Sequence, residues 1–167
     1  EYHFEGISLM FCTADTYENI HILADQIEPR VGLLFMEQGH IVTSVDGRSD
    51  HHTFSTLEHN LFFSPHLCES AAIKKQRNIH LFGLSFSTGN NPVALKDDFN
   101  LKMTPQMQRV ISDIRRCPFN GPIKKLFLHS KALELLALQC DQHENEAVID
   151  NPATKISTSE LERLYHA

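Results

Sequence analysis

Residues 1–103 consist of short apolar runs, several of which alternate with polar residues, and turn-forming residues separate these runs. A strand places successive side chains on opposite faces, so this alternation predicts strands rather than helices. The predicted strands are residues 6–12, 31–37, 41–45, 53–57, 60–64 and 79–87, and residues 21–27 fit a strand better than a helix. Short strands at regular spacing predict an antiparallel barrel or sandwich.

The pattern changes after residue 103, where apolar residues recur at helical spacing. Thr104 suits an N-cap and Pro105 suits the first helical position, where a missing N–H costs nothing. One face of this first helix carries Met107, Val110, Ile111 and Ile114. Residues 117–121 end it, and Pro122 begins a second helix that is predicted to reach about His143. The short connection predicts that residues 104–143 form an antiparallel helix pair.

The second predicted helix is apolar on most of its circumference, above all in its C-terminal half. Such a helix is expected to be buried on two sides, because several exposed leucines would cost several kcal/mol at about 25 cal/mol per Å². We expect one side to pack within the chain and the other to pack on a second copy of it. The predicted homodimer interface is Leu128, Leu135, Leu136 and Leu138. The alternative is that this is the core helix of a monomer, and the pattern alone does not exclude it.

Residues 144–167 predict a polar linker followed by the start of a third helix. Pro152 lies in the linker, and residues 157–160 have the spacing of a capping box. The apolar face of the third helix would begin with Leu161, Leu164 and Tyr165. This helix has a start signal and no stop signal, so we expect the sequence to be part of a longer protein.

Composition narrows the class of protein. The chain has 167 residues, of which 41% are hydrophobic and 22% are charged, which suits one globular domain with a full core. A net charge of −6 argues against direct nucleic-acid binding by this chain. The four cysteines are scattered, and the apolar runs are far shorter than a membrane span. These features predict a cytoplasmic protein with reduced thiols.

The residue patterns do not predict a catalytic or metal site. His51 and His52 are adjacent, so on a strand they would point to opposite faces. The His-x-His pattern that a cupin metal site needs is absent after His40. A GxSxG nucleophile motif and glycine-rich phosphate loops are absent as well. We therefore predict no bound metal and no enzymatic activity.

Aromatic residues in the predicted strands are candidates for a small-molecule pocket. If the sheet closes into a barrel, apolar side chains could line its interior, with a few polar groups to orient a guest. The pocket candidates are Phe11, Phe35, Phe82, Phe86 and Arg30, with Arg30 suited to an anionic group. The alternative at each phenylalanine is that the ring simply fills the core.

The segment from Ile111 to Leu138 resembles the stretch that precedes the DNA-binding region in AraC-type transcriptional regulators, notably the branch that responds to ferric siderophores such as pyochelin. The segment reads ISDIRRCPFNGPIKKLFLHSKALELLAL. The residues that carry the resemblance are Ile111, Ile114, Pro118, Gly121, Leu126, Lys131, Leu133, Glu134, Leu135 and Leu136. The runs NLFFSP and NIHLFGLSFS also resemble the regulatory domain of that family.

The resemblance implies a mixed β + α fold, in which a cupin-like antiparallel β-barrel at residues 1–103 is followed by the helix pair. It implies a small-molecule effector, such as a ferric siderophore, rather than a catalytic cofactor. It also implies that DNA binding belongs to a C-terminal pair of helix-turn-helix motifs that this sequence does not contain. Two alternatives remain open: a cupin-type metal-dependent enzyme (an isomerase or a dioxygenase), and a dimerisation module that binds no ligand.

Overall fold

The computed structural model describes residues 2–4, 6–25, 30–45, 51–64, 68–87 and 100–150. Within these ranges the chain forms ten strands and then two helices. The strands are β1 (Tyr2–Phe4), β2 (Ile7–Thr16), β3 (Ile20–Asp25), β4 (Arg30–Gln38), β5 (His40–Val45), β6 (His51–Ser55), β7 (Glu58–Ser64), β8 (Cys68–Ile73), β9 (Gln76–Ser87) and β10 (Leu101–Lys102), and the helices are α1 (Pro105–Arg115) and α2 (Gly121–Asp150). The strands belong to one compact unit, Glu1–Lys102, and the helices belong to a second, Met103–Ala167.

The strands form two antiparallel sheets. The larger sheet has the order β1-β2-β9-β4-β7-β10, and the smaller has the order β3-β8-β5-β6. Among the described strands, no ladder of hydrogen bonds joins the two sheets. The cupin-like mixed β + α fold is therefore confirmed, but the predicted closed barrel is replaced by two separate sheets.

One face of the six-stranded sheet is a continuous apolar surface, which we call the phenylalanine face. Register places Leu9, Leu84, Leu33 and Leu61 in one row across β2, β9, β4 and β7. The next row on the same face contains Phe11, Phe82, Phe35 and His59. Most of these side chains are fully buried, so this face belongs to the core.

The opposite face of the six-stranded sheet, which we call the cleft face, is turned towards the four-stranded sheet. Its Met36 forms a buried cluster with Ile41 of β5 and Phe54 of β6. Leu34, Leu81 and Ile73 pack around this cluster and are only partly buried. The contact between the sheets therefore lies at the end of β4 that carries Met36.

Side-chain hydrogen bonds connect the two sheets near this same end. The Gln76 side-chain amide donates to the His40 carbonyl at 2.5 Å and accepts from the His40 N–H at 2.9 Å. The Thr16 hydroxyl accepts from the Gln76 N–H at 2.9 Å, which ties the end of β2 to β9. We call this the closed end of the sandwich.

A charged and amide cluster attaches β10 to β7. Asn60 donates to Asn100 at 3.1 Å, and Lys102 donates to Glu58 at 2.7 Å. Burial raises the pKa of Glu58, but hydrogen bonds from Lys102 and the Ser55 N–H, together with the Lys102 charge, outweigh it. The pKa of Glu58 therefore lies below its ordinary value, and the carboxylate stays ionised as an acceptor.

The first helix confirms its sequence prediction. The Thr104 hydroxyl accepts from the Met107 N–H at 3.2 Å, which is the expected N-cap contact. The four residues predicted to share its apolar face are buried: Met107, Val110, Ile111 and Ile114.

The second helix is longer than predicted. It continues to Asp150, although the sequence predicted an end near His143 and a linker from residue 144. Residues 144–150 read ENEAVID and contain no proline or glycine that would end a helix. The remainder of the predicted linker and the predicted third helix lie outside the described residues.

Candidate functional site

The four phenylalanines predicted to line a pocket lie on the phenylalanine face and not between the sheets. Phe35 and Met36 are adjacent in β4, so their side chains point to opposite faces, and Met36 is the one that packs on the smaller sheet. Phe35 and Phe82 have no exposed surface, Phe86 is also buried, and Phe11 is half-buried. These rings fill the core, so the predicted pocket lining is corrected.

Three of these four rings form a row with a histidine. The ring centroids of Phe11 and Phe82 are 4.7 Å apart, and those of Phe82 and Phe35 are 5.8 Å apart. The Phe35 ring stacks on the buried His59 ring at 5.5 Å. Such contacts add stability beyond the burial of area and leave no room for a guest within the row.

Apolar side chains on the facing sides of the two sheets are partly exposed. Met10 belongs to the cleft face and is 41% exposed. Ile20 pairs with Ile73 of the buried cluster, so Ile20 and Ile22 point towards the larger sheet, and they are 37% and 46% exposed. In a filled sandwich such side chains would be buried. Among the described residues, these exposed apolar side chains therefore lie on the facing sides of the two sheets away from the closed end, and we call the space between them the cleft.

Small residues form the floor of this cleft. Ser8, Ser85 and Gly32 occupy one row of the cleft face, and Gly83 lies between Met10 and Leu34 in the next row. A Cβ atom built on Gly83 would lie 3.3 Å from the terminal methyl of Met10. Glycine within a strand often marks a place where another group approaches the sheet closely.

Arg30 is the one predicted pocket residue that lies on the cleft face. It shares this face with Gly32 and Leu34, because the three residues alternate along β4. Its row also contains Ser87 and Ser64, at the end of the sheet away from Met36. The side chain is half-buried and has no ion pair or side-chain hydrogen bond within the described part of the chain. Among the described residues, the cleft face thus has an apolar end at Met36 and carries the cationic Arg30 at its other end.

The helical unit contains a small polar groove between α1 and α2. Lys131 bridges Glu134 at 2.9 Å and Asp113 at 3.1 Å, and Arg109 lies nearby on the groove wall. Hydrogen bonds to Glu134 and then Asp113 raise the pKa of Lys131 above its ordinary value. The lysine charge is therefore already satisfied within the chain.

The second helix has two apolar stripes on opposite sides. The buried stripe contains Leu128, Ala132, Leu135, Gln139 and His143. The other, which we call the outer stripe, contains Ile123, Leu126, Ser130, Leu133 and Ala137, and its alternating spacing of three and four residues is that of a helix-packing seam. The two stripes are offset by two residues, which is about 200° around a helix.

Three of the four predicted interface leucines belong to the buried side of α2. Leu128, Leu135 and Leu136 are 2%, 0% and 6% exposed, so they have no surface left for a partner. Leu138 is half-buried. The exposed apolar residues of the helix are instead Ile123 and Leu126, at 62% and 72%. Leu128, Leu135 and Leu136 are therefore not available to a partner, and the outer stripe is the apolar surface of the described part of α2 that remains exposed.

In the described ranges, no group of three or more His, Cys, Asp and Glu side chains is placed to hold a metal ion. No helix among the same residues is both long enough and apolar enough to cross a membrane.

The family model that covers most of this chain, rather than the fold alone, gives the class: the regulatory domain of an AraC-type transcriptional regulator. The chain belongs to the family described as the regulatory protein PchR N-terminal domain, which matches residues 3–153. The resemblance found in the sequence is thereby confirmed. A comparison with curated protein sequences finds no significant match.

Two solved structures of ToxT share the fold of this chain. An unliganded, substituted ToxT from Vibrio cholerae matches with a TM-score of 0.55 and 6% identity over 83% of this chain and 58% of that one. ToxT with a bound unsaturated fatty acid matches with a TM-score of 0.52 and 7% identity over 95% and 60%. The chain thus spans about three fifths of the ToxT chains. The cupin domain of Schizosaccharomyces pombe Cnp3 also matches, with a TM-score of 0.41 and 9% identity over 73% and 70%.

Proposed function

We propose that this domain binds a small effector in the cleft between its two sheets and is not catalytic. The observation that carries the proposal is the exposure of Met10, Ile20 and Ile22 on the facing sides of the sheets. A guest that covers these side chains would gain about 25 cal/mol for each Å² of apolar surface removed from water. The family is regulatory, and the fatty acid bound to ToxT shows that a protein of this fold holds an apolar guest. A ferric siderophore remains a prediction for the effector.

The proposed output is a change in how DNA-binding segments of the parent protein are presented, in the cytoplasm. This chain has a net charge of −6, so DNA binding is assigned to a segment outside it. An effector acts on such a segment only if it binds one arrangement of the protein more tightly than another. The effector then changes the affinity for DNA by the same factor by which DNA changes the affinity for the effector.

We further propose that two copies pair through the outer stripe of α2, in antiparallel orientation. The first half of α2 carries Lys124 and Lys125, together with Lys131 and the Glu134 that pairs with it, whereas the second half carries Asp141, Glu144, Glu146 and Asp150 and no lysine or arginine. In an antiparallel pair the basic half of each helix lies beside the acidic half of the other, whereas a parallel pair would bring like charges together. Charge pattern and exposed apolar stripe therefore support the same arrangement.

The Gly83→Leu variant tests the cleft. The strand glycine has an ordinary backbone conformation, and only the flexible end of Met10 is close, so we expect the variant to fold with an unchanged or higher melting temperature. The leucine would occupy the floor of the cleft. We expect effectors that raise the melting temperature of the original protein by mass action to lose this effect in the variant.

The matched control is Leu23→Ala, which shortens an exposed side chain on the outward side of β3. This variant is expected to respond to the same compounds as the original protein. If Gly83→Leu is folded and still responds to them fully, the effector site lies elsewhere and the proposed function of the cleft is wrong.

A further inference from the structure

We propose that the effector is an amphipathic anion, with its acidic group bound by Arg30 and its apolar part lying over Gly83 and Met10. The proposal rests on the function proposed for the cleft and adds the chemical class of the ligand. It follows from where Arg30 lies on the cleft face and from the absence of a partner for its charge within the described chain.

The position of Arg30 on β4 relates it to the apolar floor of the cleft. Arg30 and Leu34 lie on the same face of β4, four residues apart, with Gly32 between them. At about 3.3 Å per residue, their Cα atoms are about 13 Å apart. Gly32 has no side chain to separate the guanidinium from the apolar floor beside Gly83. A ligand about this long could contact Arg30 and the floor together.

The charge of the Arg30 guanidinium favours an acidic group in the ligand. A guanidinium presents a planar set of donors that matches a carboxylate or sulfonate, and partial burial strengthens this interaction relative to water. Arg30 is half-buried, yet no described carboxylate neutralises it, whereas Lys102 and Lys131 each pair with carboxylates of the chain. The chain as a whole is acidic, and Arg30, which pairs with no carboxylate among the described residues, provides charge complementarity for an anionic guest.

The two ends of the cleft face differ in polarity, which would orient an amphipathic guest. The closed end of the cleft is apolar, because Met36, Ile41 and Phe54 pack there. Arg30 lies at the other end of β4. An amphipathic guest would therefore place its apolar end towards Met36 and its acidic group towards Arg30. A neutral apolar guest would occupy the same floor without using the arginine.

The test uses two fluorescent probes that differ in one group. Anilinonaphthalene sulfonate carries a sulfonate, and phenylnaphthylamine has the same ring system without it. Both are titrated into the original protein and into Arg30→Gln, Arg30→Lys and Arg77→Gln, with circular dichroism as the check of folding. Arg77 is an exposed arginine of β9 and controls for the loss of one positive charge.

We expect Arg30→Gln to bind the sulfonate probe about 10- to 100-fold more weakly, the range for a charge-assisted hydrogen-bonded pair. Its affinity for the neutral probe should be unchanged, Arg30→Lys should recover part of the loss, and Arg77→Gln should behave as the original protein. An equal affinity of Arg30→Gln for the sulfonate probe would overturn the assignment of Arg30.

The Gly83→Leu variant separates this proposal from the function on which it rests. If that variant loses both probes while Arg30→Gln loses neither, the cleft binds guests but does not select anions through Arg30. If both probes bind Gly83→Leu as tightly as the original protein, the cleft is not the binding site and both proposals fail.

Discussion

Replacing Phe82 by alanine is expected to lower the free energy of unfolding of the β-unit by about 3–5 kcal/mol, the range for truncating a buried phenylalanine. Phe82 has no exposed surface, and it contacts the rings of both Phe11 and Phe35. The truncation would leave a void in the centre of the phenylalanine face. Chemical denaturation followed by circular dichroism measures the loss.

The outcome distinguishes a core position from a pocket position. Leu23→Ala, at a side chain that is 68% exposed, should change the stability by less than about 0.5 kcal/mol. If the ring lined an open pocket, its removal would change the free energy of unfolding little and would weaken ligand binding instead. A cost below about 1 kcal/mol for Phe82→Ala would therefore contradict the placement of this ring in the core.

Replacing Leu126 by glutamate is expected to convert a dimer of this chain into monomers. Leu126 is 72% exposed, and it is the most exposed large apolar side chain of the outer stripe. A symmetric pair contains the residue twice, so the loss is roughly 3–6 kcal/mol at roughly 1.5–3 kcal/mol for each leucine. This corresponds to roughly two to four orders of magnitude in Kd, which sedimentation at a series of concentrations measures.

The control for this substitution is Leu23→Glu, at a leucine of similar exposure on β3. It adds the same charge away from the outer stripe and should leave the oligomeric state unchanged. Leu135→Glu is not a suitable test, because Leu135 is fully buried and a buried charge would destabilise the fold itself. A Leu126→Glu variant that sediments as the original protein would show that the outer stripe is not the interface.

Charge exchange then reports the orientation of the two helices. Lys125 and Asp141 are exposed and lie in opposite halves of α2. In an antiparallel pair, Lys125→Glu alone and Asp141→Lys alone should each weaken the dimer, and the double variant should recover the affinity. Additive weakening in the double variant would contradict the antiparallel arrangement.

Periodicity in the sequence predicted well which residues share a face of a strand or helix. It predicted less well which of the two faces is turned towards the core. Alternation correctly groups Phe82 with Phe86, and helical spacing correctly shows that α2 is apolar on two sides. Neither pattern states which side meets the rest of the chain. The four pocket phenylalanines and three of the four interface leucines lie on the side that packs within the chain, because only tertiary packing decides which side is turned inward.

Other differences have local causes. The strand β8 was missed because CESAAI is short and has few large apolar residues, so its periodicity is weak. The open arrangement of the sheets depends on pairings between strands that are distant in sequence, which periodicity does not encode. Arg30 shares the alternation of Gly32 and Leu34 and therefore lies on the cleft face, and its role in ligand binding stays a prediction.

The most direct test of the central claim, that a guest binds between the sheets, is methyl NMR of the protein with labelled methionines. The chain has four methionines: Met10, Met36, Met103 and Met107. Met10 is the only one of these four that is exposed, and its methyl group lies over the cleft floor at Gly83. Titration with anilinonaphthalene sulfonate is expected to shift the Met10 signal most, with saturation at the concentration that saturates the fluorescence. Saturated fluorescence with an unchanged Met10 signal would contradict the account.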